Sequence, residues 1–421
     1  MAQLSADCFA HGGRLMSLSE ALALIEERTQ TVAAIESAPL RDALGRILAE
    51  DLIAPFAVPP HANSAVDGYA VRFDDLSATG ETALRVLGRA AAGHPERRAL
   101  GPGEAIRIFT GAVMPEGADT VVMQEDCRLE GDGGRVQVPA GLRRGANRRR
   151  AGEDVEAGAV ALQAGIRLRP QEIGMAASLG VSTLPVRARL RAALFSTGDE
   201  ILEPGQPPAR GCVFDSNRYT LAALLEGLGL RVTDLGILPD REAAIRDSLR
   251  QAAEAGHDLI VTTGGVSVGE EDHVKAAVEA LGSLHAWRLA VKPGRPIALG
   301  QVGRVPFVGL PGNPVAAMVT FLRVVRPLAL KLAGARDREP RFYRVRAGFD
   351  YRKKAGRREW VRARLGTDGA GEVVAKRFPR EGAGILSSMV ESEGLVELAE
   401  DLTRLEAGTM VDFLPYREVL G

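Results

Sequence analysis

The sequence predicts a multidomain protein of α/β and β structure, and three observations carry that prediction. Between Arg191 and Ala333, apolar runs alternate with amphipathic segments: RAALFS, SNRYTLAALLEGLG, LRVTDLGI, DREAAIRDSLRQAAEAG, DLIVTT, EDHVKAAVEALG, PFVGL and NPVAAMVTFLRVVRPLALKLAG. This is the pattern of a parallel sheet with helices on both faces. Residues 54–158 instead hold short alternating pieces among many glycines and prolines, as a small β-rich domain does. After residue 337 alternation returns, with Val361, Ala363 and Leu365 set against Arg362 and Arg364, and predicts an all-β C-terminal module.

The remaining elements and the bulk properties fit this frame. Residues 16–34 have apolar positions at helical spacing, with Ser17 or Ser19 as N-cap. In the helix expected from Asp240, Ile245, Leu249 and Ala252 share a face while Arg246, Asp247 and Arg250 fall elsewhere. With 421 residues, 46% hydrophobic and 25% charged, the chain can bury several cores and is too polar for a membrane bundle. No apolar run approaches the roughly 20 residues of a spanning helix. The 53 basic and 54 acidic side chains leave a formal charge of -1, which argues against nucleic acid or an acidic membrane as partner. Any anion site must therefore be local. Cys8, Cys127 and Cys212 are far apart and form no CxxC, which argues against a disulfide framework and a structural zinc site. A cytoplasmic location is expected. HExxH, GxxxxGK[ST] and GxGxxG are absent from the sequence, which removes zinc protease, P-loop and nicotinamide oxidoreductase readings.

Several unusual stretches follow predicted strands: FSTGDEIL, TTGGVSVGEED and VGLPGNPVAA. Ligands bind beyond the carboxyl ends of strands in open parallel sheets, so these loops should converge. The glycines of TTGGVSVG let backbone N–H groups approach an anion. Glu270, Glu271 and Asp272 have two readings, as helix-start acids or as oxygen ligands to magnesium. Asp199 and Glu200 leave a strand after a glycine. Asn313, stiffened by the prolines of LPGNP, is placed to cap the next helix. In WRLAVKPGRPIALG, Arg288, Lys292 and Arg295 bracket a Pro-Gly turn and suit an anionic ligand. Outside the α/β zone, PPHANSAVDGYAVR holds Ser64, Asp67 and Tyr69, and Thr110 stands beside Gly111. LRRGANRRRAGEDV runs through five arginines to Glu153 and Asp154. For these three stretches turn chemistry or a solvated face is the simpler reading.

Taken in order, DGYA, TGAxxPxGAD, RxxGED, STGDE, DSN, TTGGVSVGExD, KPGRP and LPGNP resemble the molybdopterin molybdenumtransferase family, which includes the C-terminal domain of gephyrin. The resemblance covers nearly the whole chain. It implies a three-layer α/β domain with a mostly parallel sheet of molybdopterin-binding type (191–336) and a small β-rich domain (54–158). It also implies a connecting α+β segment (15–53 with 159–190) and a C-terminal β-barrel (337–421). The implied reaction inserts molybdate into adenylylated molybdopterin and releases AMP with Mg2+; the alternatives are molybdopterin adenylyltransferase activity and a non-catalytic, gephyrin-like scaffold. The implied state is a homodimer whose cleft lies between the α/β and C-terminal domains of one subunit and the small domain of the other. Transient contacts with the adenylyltransferase and with molybdoenzyme maturation factors are expected. The catalytic residues carried over are Asp67, Thr110, Asp154, Glu200, Asp240, Asp272 and Lys292, with Glu200 and Asp272 expected on the metal. Thr263, Gly264, Gly265, Ser267, Gly269, Arg288, Lys292, Arg295, Pro311, Gly312, Asn313, Pro314, Arg362 and Ser387 are expected to bind the pterin nucleotide. The chain departs from the family pattern at Val66, where Met is common, at Arg288, often Lys, and at Gly382–Gly384, GAG in place of GSG. No side-chain nucleophile is expected.

Overall fold

The computed structural model describes residues 15–131, 133–265 and 273–420. The first helix among the described residues is α1 (Leu18–Arg28), started by a capping box. Ser17 Oγ accepts from Glu20 N at 3.1 Å, and the Glu20 carboxylate accepts from Ser17 N at 2.7 Å. Ser17, not Ser19, is therefore the cap. The helix ends at Arg28, short of the expected residue 34, because Thr29 is already extended and Ala33, outside any helix, is buried against the α/β core. Strand Ile35–Pro39 then pairs antiparallel with Thr183–Arg187. With helix α2 (Pro170–Ser178) these strands bracket a small core of Leu48, Leu168, Leu184 and Val186.

Between those two strands the chain makes its small β-rich unit. Strands β1 (Gly68–Val71), β2 (Thr82–Ala90), β3 (Glu104–Ile108), β4 (Thr120–Met123), β5 (Arg128–Glu130) and β6 (Arg135–Val138) form one sheet in the order β4-β1-β3-β2-β6-β5. Successive side chains enter different cores, Tyr69 and Val71 on one face and Ala70 on the other, as the period of two demands.

The α/β unit contains β7 (Arg191–Thr197), α3 (Asn217–Gly227), β8 (Arg231–Leu238), α4 (Glu242–Glu254), β9 (Leu259–Thr263), α5 (His273–Leu281), β10 (Gly282–Arg288), β11 (Pro296–Val302) and β12 (Val305–Leu310). The sheet order is β8-β7-β9-β12-β11-β10. The first four strands are parallel; β11 and β10 are added antiparallel. Strand order thus reverses beside β7, where crevices for ligands form. Leu194 packs on one face of the sheet and Phe195 on the other, the latter with Ile245 and Leu249 of α4. The segment starting with α6 (Pro314–Thr320) runs through a widened turn at Phe321–Val325 into α7 (Arg326–Leu332) and is buried almost throughout.

Strands β13 (Tyr343–Ala347), β14 (Arg358–Thr367), β15 (Val373–Arg377), β16 (Gly394–Leu398) and β17 (Met410–Pro415) close into a ring, β14-β15-β13-β17-β16 and back to β14. This is the C-terminal β-barrel. The alternation expected along β14 fails from Glu359 to Ala363, where every residue is buried. Its inner face fills the barrel with Val361 and Ala363, and Trp360 on the outer face joins the α/β core. The two units are stitched by parallel pairing of Val291–Lys292 with Arg358–Glu359. Among the described residues no helix is long and apolar enough to cross a membrane.

Candidate functional site

Two cavities of similar size meet at the LPGN turn. The first, about 530 Å³, lies between the α/β unit and the barrel. Its described lining sets six cationic side chains (Lys292, Arg295, Arg357, Arg362, Arg377, Arg380) against two carboxylates, Glu359 and Glu381. Lys292 Nζ is 3.3 Å from Tyr351 OH, 3.4 Å from Glu359 Oε2 and 3.8 Å from Glu381 Oε2. Burial alone would lower the Lys292 pKa, but the Tyr351 hydroxyl and the two carboxylates outweigh it and hold the ammonium above its ordinary value. The Pro-Gly turn that presents Lys292 needs glycine at 294. Its φ is +102°, and a Cβ there would sit 2.2 Å from Thr320 Oγ1.

Arg362 is buried in the same wall. Its Nε donates to Ser388 Oγ at 3.1 Å and its Nη2 to Gly382 O at 3.2 Å, while burial lowers its pKa. Ser388 Oγ in turn donates to Ile385 O. The neighbouring Ser387 is exposed at the start of the short helix Ser387–Val390 and lines neither cavity.

The second cavity, about 550 Å³, opens at the carboxyl ends of the parallel strands and is lined by Thr197, Glu200, Phe214, Asn217, Gly264 and Gly312, among others. Asn217 Nδ2 donates to Thr263 Oγ1 at 2.9 Å and to Gly312 O at 2.8 Å, and Thr263 Oγ1 donates to Pro311 O at 3.1 Å. Three strand-end segments are thereby tied together. At Gly264, φ is +83° and a Cβ would meet Thr197 O at 2.8 Å, so the loop leaves β9 against bare backbone. Behind the wall, buried Asp215 pairs with Arg218 at 3.0 Å and accepts from Ser196 Oγ. Asn313 lines both cavities. It occupies the N-cap position of α6, but its side chain makes no capping hydrogen bond; its carbonyl accepts from Ala317 N at 2.8 Å. The expected side-chain cap is thus replaced by backbone closure, and the amide is left at the cavity junction.

The other expected site residues divide by location. Lys292, Arg295, Pro311 and Arg362 face the first cavity; Glu200, Thr263, Gly264, Gly312 and Pro314 face the second. Gly265 lies one residue beyond, with φ +62°. Asp240 is linked to the second cavity through Thr197 Oγ1, 3.3 Å from its Oδ1. Arg288 is exposed at the end of β10, its carbonyl accepting from Met16 N at 2.9 Å. Asp67, Thr110 and Asp154 belong to the small β-rich unit and line neither cavity of their own chain. Thr110 donates to Asp67 Oδ1 through both its backbone N–H and its hydroxyl, each at 2.7 Å, which lowers the Asp67 pKa. Ser267, Gly269 and Asp272 lie outside the described residues. Sequence reasoning did not single out Tyr351, Glu359, Asn217 or Ser388. The DSN motif contained the signal for Asn217, but Tyr351 and Glu359 acquire their place only through the junction of two units.

Comparison with known proteins agrees with this architecture. Residues 16–180 match the MoeA N-terminal region (domain I and II), 193–331 a probable molybdopterin binding domain, and 344–416 the MoeA C-terminal region (domain IV). A molybdopterin molybdenumtransferase of Haemophilus influenzae is 38% identical over 408 residues, covering 97% of this chain and 100% of that protein. One from a Nostoc species is 39% identical over 323 residues, covering 75% of this chain and 73% of that protein. A solved structure of the molybdopterin biosynthesis MoeA protein from Pyrococcus horikoshii OT3 superimposes with a TM-score of 0.82 at 30% identity, over 96% of this chain and 100% of that one. Sequence identity across full length, the three matched regions in order and the shared fold together assign this chain to the molybdopterin molybdenumtransferase family, transferases of molybdenum cofactor biosynthesis.

Proposed function

We propose that this chain acts in the cytoplasm as a magnesium-assisted homodimer that inserts molybdate into adenylylated molybdopterin and releases AMP. The observation that carries this reading is the junction at Asn313, where a cation-rich cavity meets one built from strand-end hydroxyls, amides and glycines. A dianionic oxyanion and a phosphoanhydride repel each other, and preorganised cations offset that repulsion where water cannot reorganise to do so. Lys292, Arg295 and Arg362 serve this role. Thr263, Gly264, Gly265, Pro311, Gly312, Asn313 and Pro314 shape the neighbouring wall for the pterin nucleotide.

Water or a molybdate oxygen attacks phosphorus, the phosphoanhydride P–O bond breaks, and AMP leaves. No covalent enzyme intermediate forms, which mass spectrometry during turnover checks. Magnesium fits the donor chemistry. The second cavity has neither imidazole nor thiolate in its described lining and offers the exposed Glu200 carboxylate, a hard oxygen donor. Glu200 and Asp272 would hold the ion, whose charge offsets that of the phosphates. Among the described residues no cluster of three or more metal-ligating side chains exists, so substrate oxygens and water would complete the shell.

The position of Asp67, Thr110 and Asp154 away from both cavities supports a cleft completed by the small domain of a second subunit. Mixing Asp67→Asn with Lys292→Met, each left with only about 1% of activity alone, should restore roughly a quarter of activity, because half the molecules become heterodimers with one intact site. The adenylyltransferase would deliver the substrate and maturation factors would accept the product. The direct test incubates purified protein with adenylylated molybdopterin, molybdate and Mg2+, and follows AMP and cofactor. AMP release without molybdate and without cofactor would overturn the reading.

A further inference from the structure

We propose that Glu359 is a positioning residue for the reaction: buried where the barrel meets the α/β unit, it anchors the Lys292 ammonium, directly and through Tyr351, and thereby sets how tightly the oxyanion is held. The role in oxyanion binding rests on the function proposed above; the anchoring itself does not.

Glu359 is 1% exposed, yet both its oxygens are engaged. Oε1 accepts from Arg357 Nε at 2.6 Å, and Oε2 accepts from Tyr351 OH at 3.0 Å while standing 3.4 Å from Lys292 Nζ. A buried carboxylate is costly unless paired and hydrogen-bonded, so this one is retained with its full set of partners. The backbone brings the pair together. Parallel pairing sets Lys292 directly opposite Glu359, and Arg358 N donates to Ala290 O at 2.8 Å.

The exposures differ in a telling way. Both line the cavity, but the Lys292 side chain is 42% exposed and that of Glu359 only 1%. One end of the ion pair is fixed in the protein and the other faces the ligand space. A lysine has a flexible four-carbon stem, and holding its head before the ligand arrives reduces the entropy lost on binding. Tyr351 adds a second hold. It is 7% exposed, is braced edge-on by Phe349 at 6.4 Å, and carries Lys292 Nζ at 5.8 Å and Arg377 Cζ at 5.5 Å from its ring centroid.

The charged and titratable groups facing Lys292 are Glu359 from β14, Tyr351 from the short strand Tyr351–Arg352 before it, Arg377 from the end of β15 and Glu381 from the segment after it, with Arg357 behind Glu359. Glu381 is 3.8 Å away and its side chain is 58% exposed, so solvent screens it. Glu359 is the acid whose charge is least screened. Neutralising it leaves burial less opposed, and the Lys292 pKa, now raised, should fall.

The test uses the full-length protein carrying Glu359→Gln, Tyr351→Phe, Lys292→Met, and the Glu359→Gln/Lys292→Met pair. Competitive acetylation across pH, read by peptide mass spectrometry, reports Lys292 titration without any need for turnover. In Glu359→Gln the Lys292 titration should move to lower pH. In the cofactor assay the molybdate concentration for half-maximal rate should rise roughly 10-fold, with the rate at saturating molybdate changed about 2-fold or less. The alkaline limb of the profile should move to lower pH, and Glu359→Asp should recover part of the loss. In the Lys292→Met background, Glu359→Gln should add nothing, because its route to the ligand is gone.

Unchanged Lys292 labelling, or an equal loss from Glu359→Gln with and without Lys292, would overturn the proposal and leave Glu359 as a partner of Arg357 alone. If Glu359→Gln does not fold, Tyr351→Phe carries the same labelling test from the hydroxyl side, and an unshifted lysine there overturns it equally. Failure of the wild-type protein to form cofactor would sink the functional reading, and the labelling result would still decide whether Glu359 anchors Lys292.

Discussion

The two cavities that meet at Asn313 are similar in size and differ in how they are held. The cation-rich one is assembled where two units touch, and its cationic side chains are held by an ion pair and charge-assisted hydrogen bonds: Lys292 on Glu359 and Tyr351, and Arg362 on Ser388. The strand-end one is built mostly from the α/β unit, with Gly384 and Leu386 of the C-terminal unit at its edge, and its α/β segments are tied by neutral hydrogen bonds through Asn217 and Thr263. Charge reaching into a cavity can be removed with little loss of fold, because water replaces the ligand-facing partner. A buried amide that ties three chain segments cannot be removed so cheaply, since its partners are left unsatisfied. One cavity should therefore fail in chemistry, the other in stability.

The largest effect expected from that contrast is at Lys292. Lys292→Met should lower the rate of cofactor formation by about 100-fold or more, the loss typical of one preorganised electrostatic group, with a smaller fall in the urea midpoint because Arg357 and Tyr351 still engage both oxygens of Glu359. A loss below about 10-fold would place the oxyanion elsewhere. Asn217→Ala should do the reverse. It strips hydrogen bonds from Thr263 and Gly312 and should cost about 2 kcal/mol of unfolding free energy, read from urea titration, with a smaller effect on activity. Unaltered stability would mean that the strand-end wall is held by packing alone.

Gly294→Ala blurs the contrast, because it damages the cation-rich cavity through its backbone. The added Cβ meets Thr320 Oγ1 in a left-handed conformation, so a loss of about 1–3 kcal/mol is expected. Thr320→Ala in the same chain removes the collision but not the strain and should recover part of the loss. Full recovery would show that the clash was the whole effect.

What could be read in the sequence follows the same division. The strand-end loops were legible because glycine pairs and proline-flanked turns announce their backbone needs locally. The alternation of Ile245 and Leu249 with Arg246 and Arg250 likewise revealed how α4 lies on the sheet. Strands β10 and β11 were hidden because the cations between them read as a turn, although the sheet there is antiparallel. The double burial of β14 was illegible for a different reason: its outer face is covered by the α/β unit, so Trp360 had no local sign of burial, and nothing local marked Glu359, in register with Val361 and Ala363, as a buried carboxylate. Ala33 misled the helix prediction similarly, being apolar for a distant core. The DSN motif marked Asn217 as part of an ordered series without revealing which segments it ties.

The smallest expected effect separates two adjacent serines and tests whether contact or motif position decides a role. Ser388 is fully buried, accepts from Arg362 Nε and donates to Ile385 O, so Ser388→Ala leaves an already desolvated guanidinium with one fewer partner. The molybdate concentration for half-maximal rate should rise several-fold, on the order of one hydrogen bond to a charged group. Ser387, exposed and facing neither cavity, was the position carried over from the motif. Ser387→Ala should change the same quantity by less than about 2-fold, as surface substitutions usually do. A reversed order would mean that Ser387 meets its ligand in a cleft completed by the second subunit, and the cation-rich cavity would then extend past the wall that Arg362 and Ser388 form.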